Sequence, residues 1–153
     1  MKSLDEYLEL AERAHGHMCA GQVLGVRLAM LGVRELGLDP VKDRKRMVTY
    51  VEIDRCMTDA VALVANCRLG KRALKFLDWG KVAATFVDLQ TQRAIRVAAK
   101  ESAKQKAREM FPEDEYAGRL DQPPLLILQL RRLCRERMTH EAKPAEIKRH
   151  LDE

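Results

Sequence analysis

No uninterrupted apolar run in this chain approaches the roughly 20 residues that cross a bilayer, so a membrane-free protein is expected. The N-terminus, Met1-Lys2-Ser3-Leu4-Asp5-Glu6, turns acidic where a signal peptide would turn apolar, which predicts a cytoplasmic location. None of the four cysteines forms a CxxC pair, and in a reducing compartment a disulfide framework is disfavoured. Metal binding, redox chemistry or simple burial remain for them. Aromatic residues are only 5% of the chain, and acidic residues interrupt both basic runs, Lys42 to Arg46 and Arg131 to Arg137. The net charge of +5 therefore reads as a solvated or subunit-facing surface, and no nucleic-acid partner is expected. Gly70-Lys71 lacks the upstream glycine of a phosphate loop, which disfavours nucleotide binding by that motif. No HxE precedes a PCxxC, so the zinc deaminase pattern is absent too.

What is present fits one globular domain: 153 residues, 46% hydrophobic and 33% charged. Leu4, Tyr7, Leu8 and Ala11 follow a Ser3 to Glu6 capping box at helical spacing and predict an amphipathic helix to about Ala14, ended or bent by Gly16. A second helix should run from about Ala20 to Leu36, with Leu24, Leu28 and Leu31 on one stripe and Gly37 as the stop. Its broad apolar faces suggest a buried central helix. Met47 to Ile53 alternates as a strand, with Met47, Thr49, Val51 and Ile53 on one face. A polar elbow from Asp54 to Asp59 then leads into a short apolar helix from Ala60 to Ala65, which is left through Gly70.

Lys81 to Asp88 and Arg93 to Val97 predict an antiparallel hairpin, and Ala99, Ala103, Ala107 and Met110 mark a helix with one buried side, stopped at Phe111-Pro112. The segment from Leu125 to Arg137 fits a helix or a strand, and a short helical pattern begins at Pro144. The expected architecture is α+β, a small antiparallel sheet packed against several helices. Residues 1–140 would form a metal-binding core and residues 141–153 a charged tail.

The chemistry concentrates in His15-Gly16-His17-Met18-Cys19-Ala20-Gly21. In a regular helix His15 and Cys19 would share a face and His17 would point elsewhere. If Gly16 makes a turn into the second helix, His17 and Cys19 converge, with Cys19 near a helix N-terminus that favours negative charge. Thiolate and neutral imidazole suit zinc and also admit iron, nickel or copper. A metal of this kind takes about four ligands, so the rest of the site must come from later in the chain. Cys56, just past a strand end, is the preferred completing ligand, and Cys67 is the weaker one, since a cysteine at an apolar helix end is more often a buried small hydrophobe. Cys134 has the same bland reading. Asp54 and Asp59 offer themselves as acceptors for a ligating imidazole, though Asp59 reads first as the cap of the helix after it.

These residues fall into three linked motifs: His15 to Gly21 leading into Gly25-Val26-Arg27, then Glu52 to Ala60, then Asn66-Cys67-Arg68-Leu69-Gly70-Lys71. In order and spacing they resemble the FmdE family of formylmethanofuran dehydrogenase components over roughly residues 10–130. The resemblance implies an α+β domain with a bound metal, usually zinc, a tendency to form homodimers, and association with a molybdenum or tungsten enzyme whose catalytic centre this component does not carry. Carried over by position, the metal candidates are His17, Cys19 and Cys56, with His15 and Cys67 nearby. The chain departs from the family at Ala20, where proline is usual, at Ala65-Asn66, where Thr-Gly precedes the cysteine, and at Arg72-Ala73, where Gly-Asn is common. It also has no cysteine after Cys134, so a core-only form without the paired-CxxC zinc-finger module of many relatives is expected.

Two functions follow. One is a metal-binding accessory or redox-linked protein holding Zn2+ at His17, Cys19, Cys56 and Cys67. The other is a small-molecule metalloenzyme with an open metal position, His15 or Asp54 as general acid or base, and Lys71 steadying an anionic group.

Overall fold

The structure is a computed structural model and describes residues 1–110. The first helix, α1, runs Leu4–His15 behind the expected capping box: Glu6 N–H donates to Ser3 Oγ at 3.2 Å and Ser3 N–H to Glu6 Oε2 at 2.7 Å. Gly16 closes it in a left-handed conformation, φ 93°, that an L side chain rarely adopts. Helix α2, Ala20–Leu36, ends the same way at Gly37.

The expected stripe on α2 needs correction. Leu31 is exposed and Leu24 half-buried, whereas the buried side is Gln22, Gly25, Val26, Leu28, Ala29, Gly32, Val33 and Leu36. At two points this side carries glycine because neighbours come too close for a side chain. A Cβ on Gly32 would sit 2.2 Å from the Phe86 ring, and one on Gly25 would sit 2.6 Å from the Met57 carbonyl oxygen.

Strand β1, Met47–Val51, leads into helix α3, Cys56–Val64. α3 starts four residues earlier than the apolar run suggested, with Arg55 as its N-cap and Asp59 inside its first turn rather than capping it. It is left through Asn66 in a left-handed conformation, φ 50°, and not through a glycine. A 3-10 turn, Leu69–Lys71, follows, and then strand β2, Leu74–Phe76, which no sequence pattern announced. Strands β3, Ala83–Asp88, and β4, Ala94–Ala98, form the expected hairpin, and helix α4, Glu101–Met110, follows.

The sheet order is β2-β1-β3-β4. Thr49 to Val51 pair in parallel with Leu74 to Phe76, so the sheet is mixed, and the crossover through α3 is what a parallel neighbour requires. The fold is α+β, with α2 packed against α1, α3, α4 and the β3–β4 hairpin. The readings of Phe111-Pro112, Leu125 to Arg137, Cys134, Pro144 and the tail boundary at residue 140 lie outside the described residues.

Two buried carboxylates tie the sheet together. Glu52 accepts both Arg96 Nε at 2.6 Å and Arg96 Nη2 at 2.7 Å, joining the end of β1 to β4. Asp88 accepts Arg46 Nη2 at 2.7 Å, Thr91 Oγ1 at 2.7 Å and Gln90 N–H at 3.0 Å, which fixes the hairpin turn against the loop before β1. The Arg46 guanidinium, the Thr91 hydroxyl and the Gln90 N–H together hold the Asp88 carboxyl well below the usual carboxylate range. A carboxyl whose folded pKa lies below its unfolded value stabilises fully above the unfolded value, about 4, and loses that contribution as pH falls toward the folded one. Asp88→Asn is thus expected to lower the urea midpoint at pH 7 and to show a much smaller deficit near pH 2. Equal deficits at both would show that the charge is not what stabilises the turn.

Candidate metal centre

The turn between α1 and α2 makes the site. Gly16 N–H donates to Glu12 O at 2.8 Å and ends α1 at His15, and the chain then becomes extended at Cys19, φ −141°, ψ 168°, which is the N-cap of α2. His15 is therefore the last residue of one helix, Cys19 the cap of the next, and His17 lies in the reversal between them. One ligand atom from each of the three lies within 4.8 Å of the others. The His15 and His17 rings are tilted by 38° with centroids 4.7 Å apart. Cys19 is buried and the two histidines half-buried.

His15 is oriented by a residue from a different element. Its Nδ1 lies 3.1 Å from Asp59 Oδ2, in the first turn of α3. A carboxylate only accepts, so in the neutral ring Nδ1 carries the proton and Nε2 keeps its lone pair. That Nε2 is buried and makes no hydrogen bond among the described residues. An imidazole held by a carboxylate on one nitrogen with the other presented inward is the arrangement that metal-binding histidines use. Orphaned buried acceptor, neighbouring imidazole and neighbouring thiol together fit a soft divalent ion.

Helix α3 reaches the site because α2 offers it glycines. A Cβ built on Gly21 would lie 2.8 Å from Cys56 Cβ, 3.3 Å from Met57 N and 3.6 Å from Cys19 Sγ. Cys56 Cβ and the Cys19 thiol thus face the same missing side chain, although the Cys56 thiol is not among the donors that lie within 4.8 Å of one another. Gln22, fully buried, donates from Nε2 to the Cys56 carbonyl at 2.6 Å and fixes the first residue of α3. Sequence reasoning misses this contact, whose one signal is a polar residue within an otherwise apolar helix side. Thr58 Oγ1 donates to the Ile53 carbonyl and ties the same turn back to the strand end.

The other candidates lie apart. Cys67 is three residues beyond α3, whose nine residues span about 13 Å, so it sits at the opposite end from Cys56. It is buried in the apolar core, and burial pushes its thiol up against the weaker pull of the Thr49 hydroxyl and Arg68. Asp54 is exposed and lies 3.9 Å from Arg55, outside the three-donor group. Lys71 is exposed on the 3-10 turn, beyond the far end of α3. Only His15 of the three acid, base or anion-steadying candidates belongs to the cluster.

Among known proteins, the family model described as "FmdE, Molybdenum formylmethanofuran dehydrogenase operon" matches residues 14–142. A protein of Archaeoglobus fulgidus described as a probable S-adenosyl-L-methionine-binding protein is 33% identical over 97 residues, 61% of this chain but 26% of its own length. The chain thus spans about a quarter of that curated relative. The crystal structure of a tungsten formylmethanofuran dehydrogenase FmdE-like protein from Syntrophus aciditrophicus matches with a TM-score of 0.55 at 23% identity, over 86% of this chain and 66% of that one. At that identity the match speaks for the fold.

Proposed function

This chain belongs to the FmdE family, and on that footing we propose that it is a metal-binding accessory protein, holding Zn2+ or a similar ion on His15, His17, Cys19 and Cys56. The observation that carries the reading is the convergence of His15, His17 and Cys19 with the His15 ring oriented by Asp59. Cys56, across Gly21 from the Cys19 thiol, is the completing donor, and His15 takes the place that sequence alone gave to Cys67. Two thiolates and two imidazoles fill a tetrahedral set, the composition of a closed site that ties chain segments together. The ion would supply a fixed positive centre joining the α1–α2 turn to the start of α3. A closed set leaves no position for substrate, which favours the accessory role over small-molecule metalloenzyme chemistry.

The family's description supports a partner of the molybdenum- or tungsten-dependent dehydrogenase type. This chain's work is placed in the cytoplasm beside such an enzyme as part of the proposal; no helix among the described residues is long and apolar enough to cross a membrane. A homodimer is part of the same proposal: β2 is a short edge strand whose last residue, Phe76, and the following Leu77 are more than half exposed, and sedimentation of the purified chain at the monomer mass would remove this part. S-adenosyl-L-methionine binding is not carried over from the Archaeoglobus protein, of which the chain matches only a quarter.

The test is elemental analysis of protein purified without added metal. About one ion per chain is expected, with little in His17→Ala or Cys19→Ser; full occupancy in both variants would defeat the proposal. Asp59→Asn keeps the size of the side chain but weakens its hold on His15, and is expected to lower metal affinity by about 10- to 100-fold. Unchanged affinity in competition with a chromogenic chelator would remove His15 from the ligand set.

A further inference from the structure

At the other end of α3 lies an open concavity of different chemistry. The Asn66 to Lys71 motif, the loop before β1 and the hairpin turn surround a cavity of about 460 Å³, within the range of small-molecule pockets. Arg44, Lys45, Lys71 and Arg72 line it, and no described carboxylate does. None of the four is in an ion pair among the described residues. The neighbouring Arg46, by contrast, is committed to Asp88 and Asp43. Four like charges around one concavity repel each other and focus a positive potential into it, a cost that a bound anion relieves.

Two further features shape the cavity. Asn66 and Arg72 both line it with left-handed backbone, φ 50° and 56°, Asn66 where the chain leaves α3 and Arg72 where it leaves the 3-10 turn. Asn66 is held by its Nδ2 donating to the Pro40 carbonyl at 3.1 Å. The remaining lining is apolar: the buried Met47 and Val48 behind, with Ala73 and the exposed Leu89 in front. A bare inorganic ion has no use for that lining, whereas the body of an organic molecule does.

We propose that this cavity binds a phosphorylated small organic molecule, its phosphates on Arg44, Lys45, Lys71 and Arg72 and its body against Leu89 and Ala73. The grip differs from that of a glycine-rich phosphate loop, where backbone N–H groups cradle the anion. Here the turn spends its own donors internally: Lys71 N–H and Ala73 N–H on the Arg68 carbonyl, and Arg72 N–H on the Leu69 carbonyl. The phosphates are therefore left to side chains, and the missing upstream glycine is no obstacle. Lys71 keeps the anion-steadying chemistry that its position in the motif suggested, at a site separated from the histidine and cysteine cluster by the length of α3. The two sites stand or fall separately.

The experiment is calorimetric titration of the full chain with adenosine 5′-diphosphate, inorganic pyrophosphate and a short single strand of DNA, at near-physiological salt. Adenosine 5′-diphosphate is expected to bind once per chain and about tenfold or more tightly than pyrophosphate. Lys45→Ala and Lys71→Ala, both at exposed positions, should each weaken it by about tenfold, the loss of one charge-assisted contact. Arg93→Ala, an exposed cation outside the cavity, should leave it unchanged. Pyrophosphate binding as tightly, DNA binding more tightly, equal weakening by Arg93→Ala, or no saturable binding of any of the three would each overturn the proposal.

Discussion

Cys56→Ser is expected to weaken metal binding by more than about 100-fold, beyond what loss of an outer hydrogen bond costs, whereas Cys67→Ser is expected to leave it unchanged and to destabilise the fold by about 1–3 kcal/mol. Sequence reasoning already prefers Cys56, past a strand end, to Cys67, although both flank the same short helix. Structure separates them along that helix. Cys56 begins α3, where Gly21 brings α2 close, the Cys19 thiol lies beside the same gap and Gln22 fixes the Cys56 carbonyl. Cys67 lies past the other end, 1% exposed, in an apolar setting that disfavours the thiolate a metal needs. A serine there buries a hydroxyl in the core, so its cost appears in a urea melt and not in a chelator competition. The reverse pattern, metal lost with Cys67 and kept without Cys56, would assign the fourth ligand to the wrong end of α3.

The parts of the fold legible in the sequence are those fixed by neighbours in the chain. Ser3 and Glu6 cap α1 across three residues, Gly16 and Gly37 stop helices by their own backbone, and the β3–β4 hairpin closes over a short turn. What escapes is fixed by distant partners. β2 has only three residues, too few for an alternation to register, and it exists as a strand because β1 lies beside it. The buried side of α2 is misplaced when leucines are weighted and glycines are not, although Phe86 and Met57 press on the glycines. The candidate site divides in the same way. A turn at Gly16 bringing His17 to Cys19 is a local argument, but the part of His15 depends on Asp59, 44 residues away, whose nearer reading is a helix cap. The basic cavity joins residues 44–48, 66–73 and 89, a set that no single motif contains.

Gly25→Val is expected to destabilise the protein by about 3 kcal/mol, the upper end of ordinary overpacking, and to lower metal affinity together with stability. The first Cβ alone would sit 2.6 Å from the Met57 carbonyl oxygen, 2.8 Å from Ala60 Cβ and 3.1 Å from Met57 Cα. Two of these are backbone atoms of α3, so no rotamer change relieves the clash and the helix itself must move. Cys56 adjoins Met57 in that helix, and Asp59, which orients His15, follows within the same turn. A shift of α3 therefore separates the two halves of the proposed metal site even though Gly25 touches no ligand. Gly70→Ala is the matched control: no atom lies within 4 Å of its Cβ, and stability should change by less than about 0.5 kcal/mol. Urea melts with and without chelator, beside a chelator competition on both variants, read the two effects. A Gly25→Val chain that loses stability but keeps full metal affinity would mean that the ion is held by the α1–α2 turn alone and that α3 contributes no ligand.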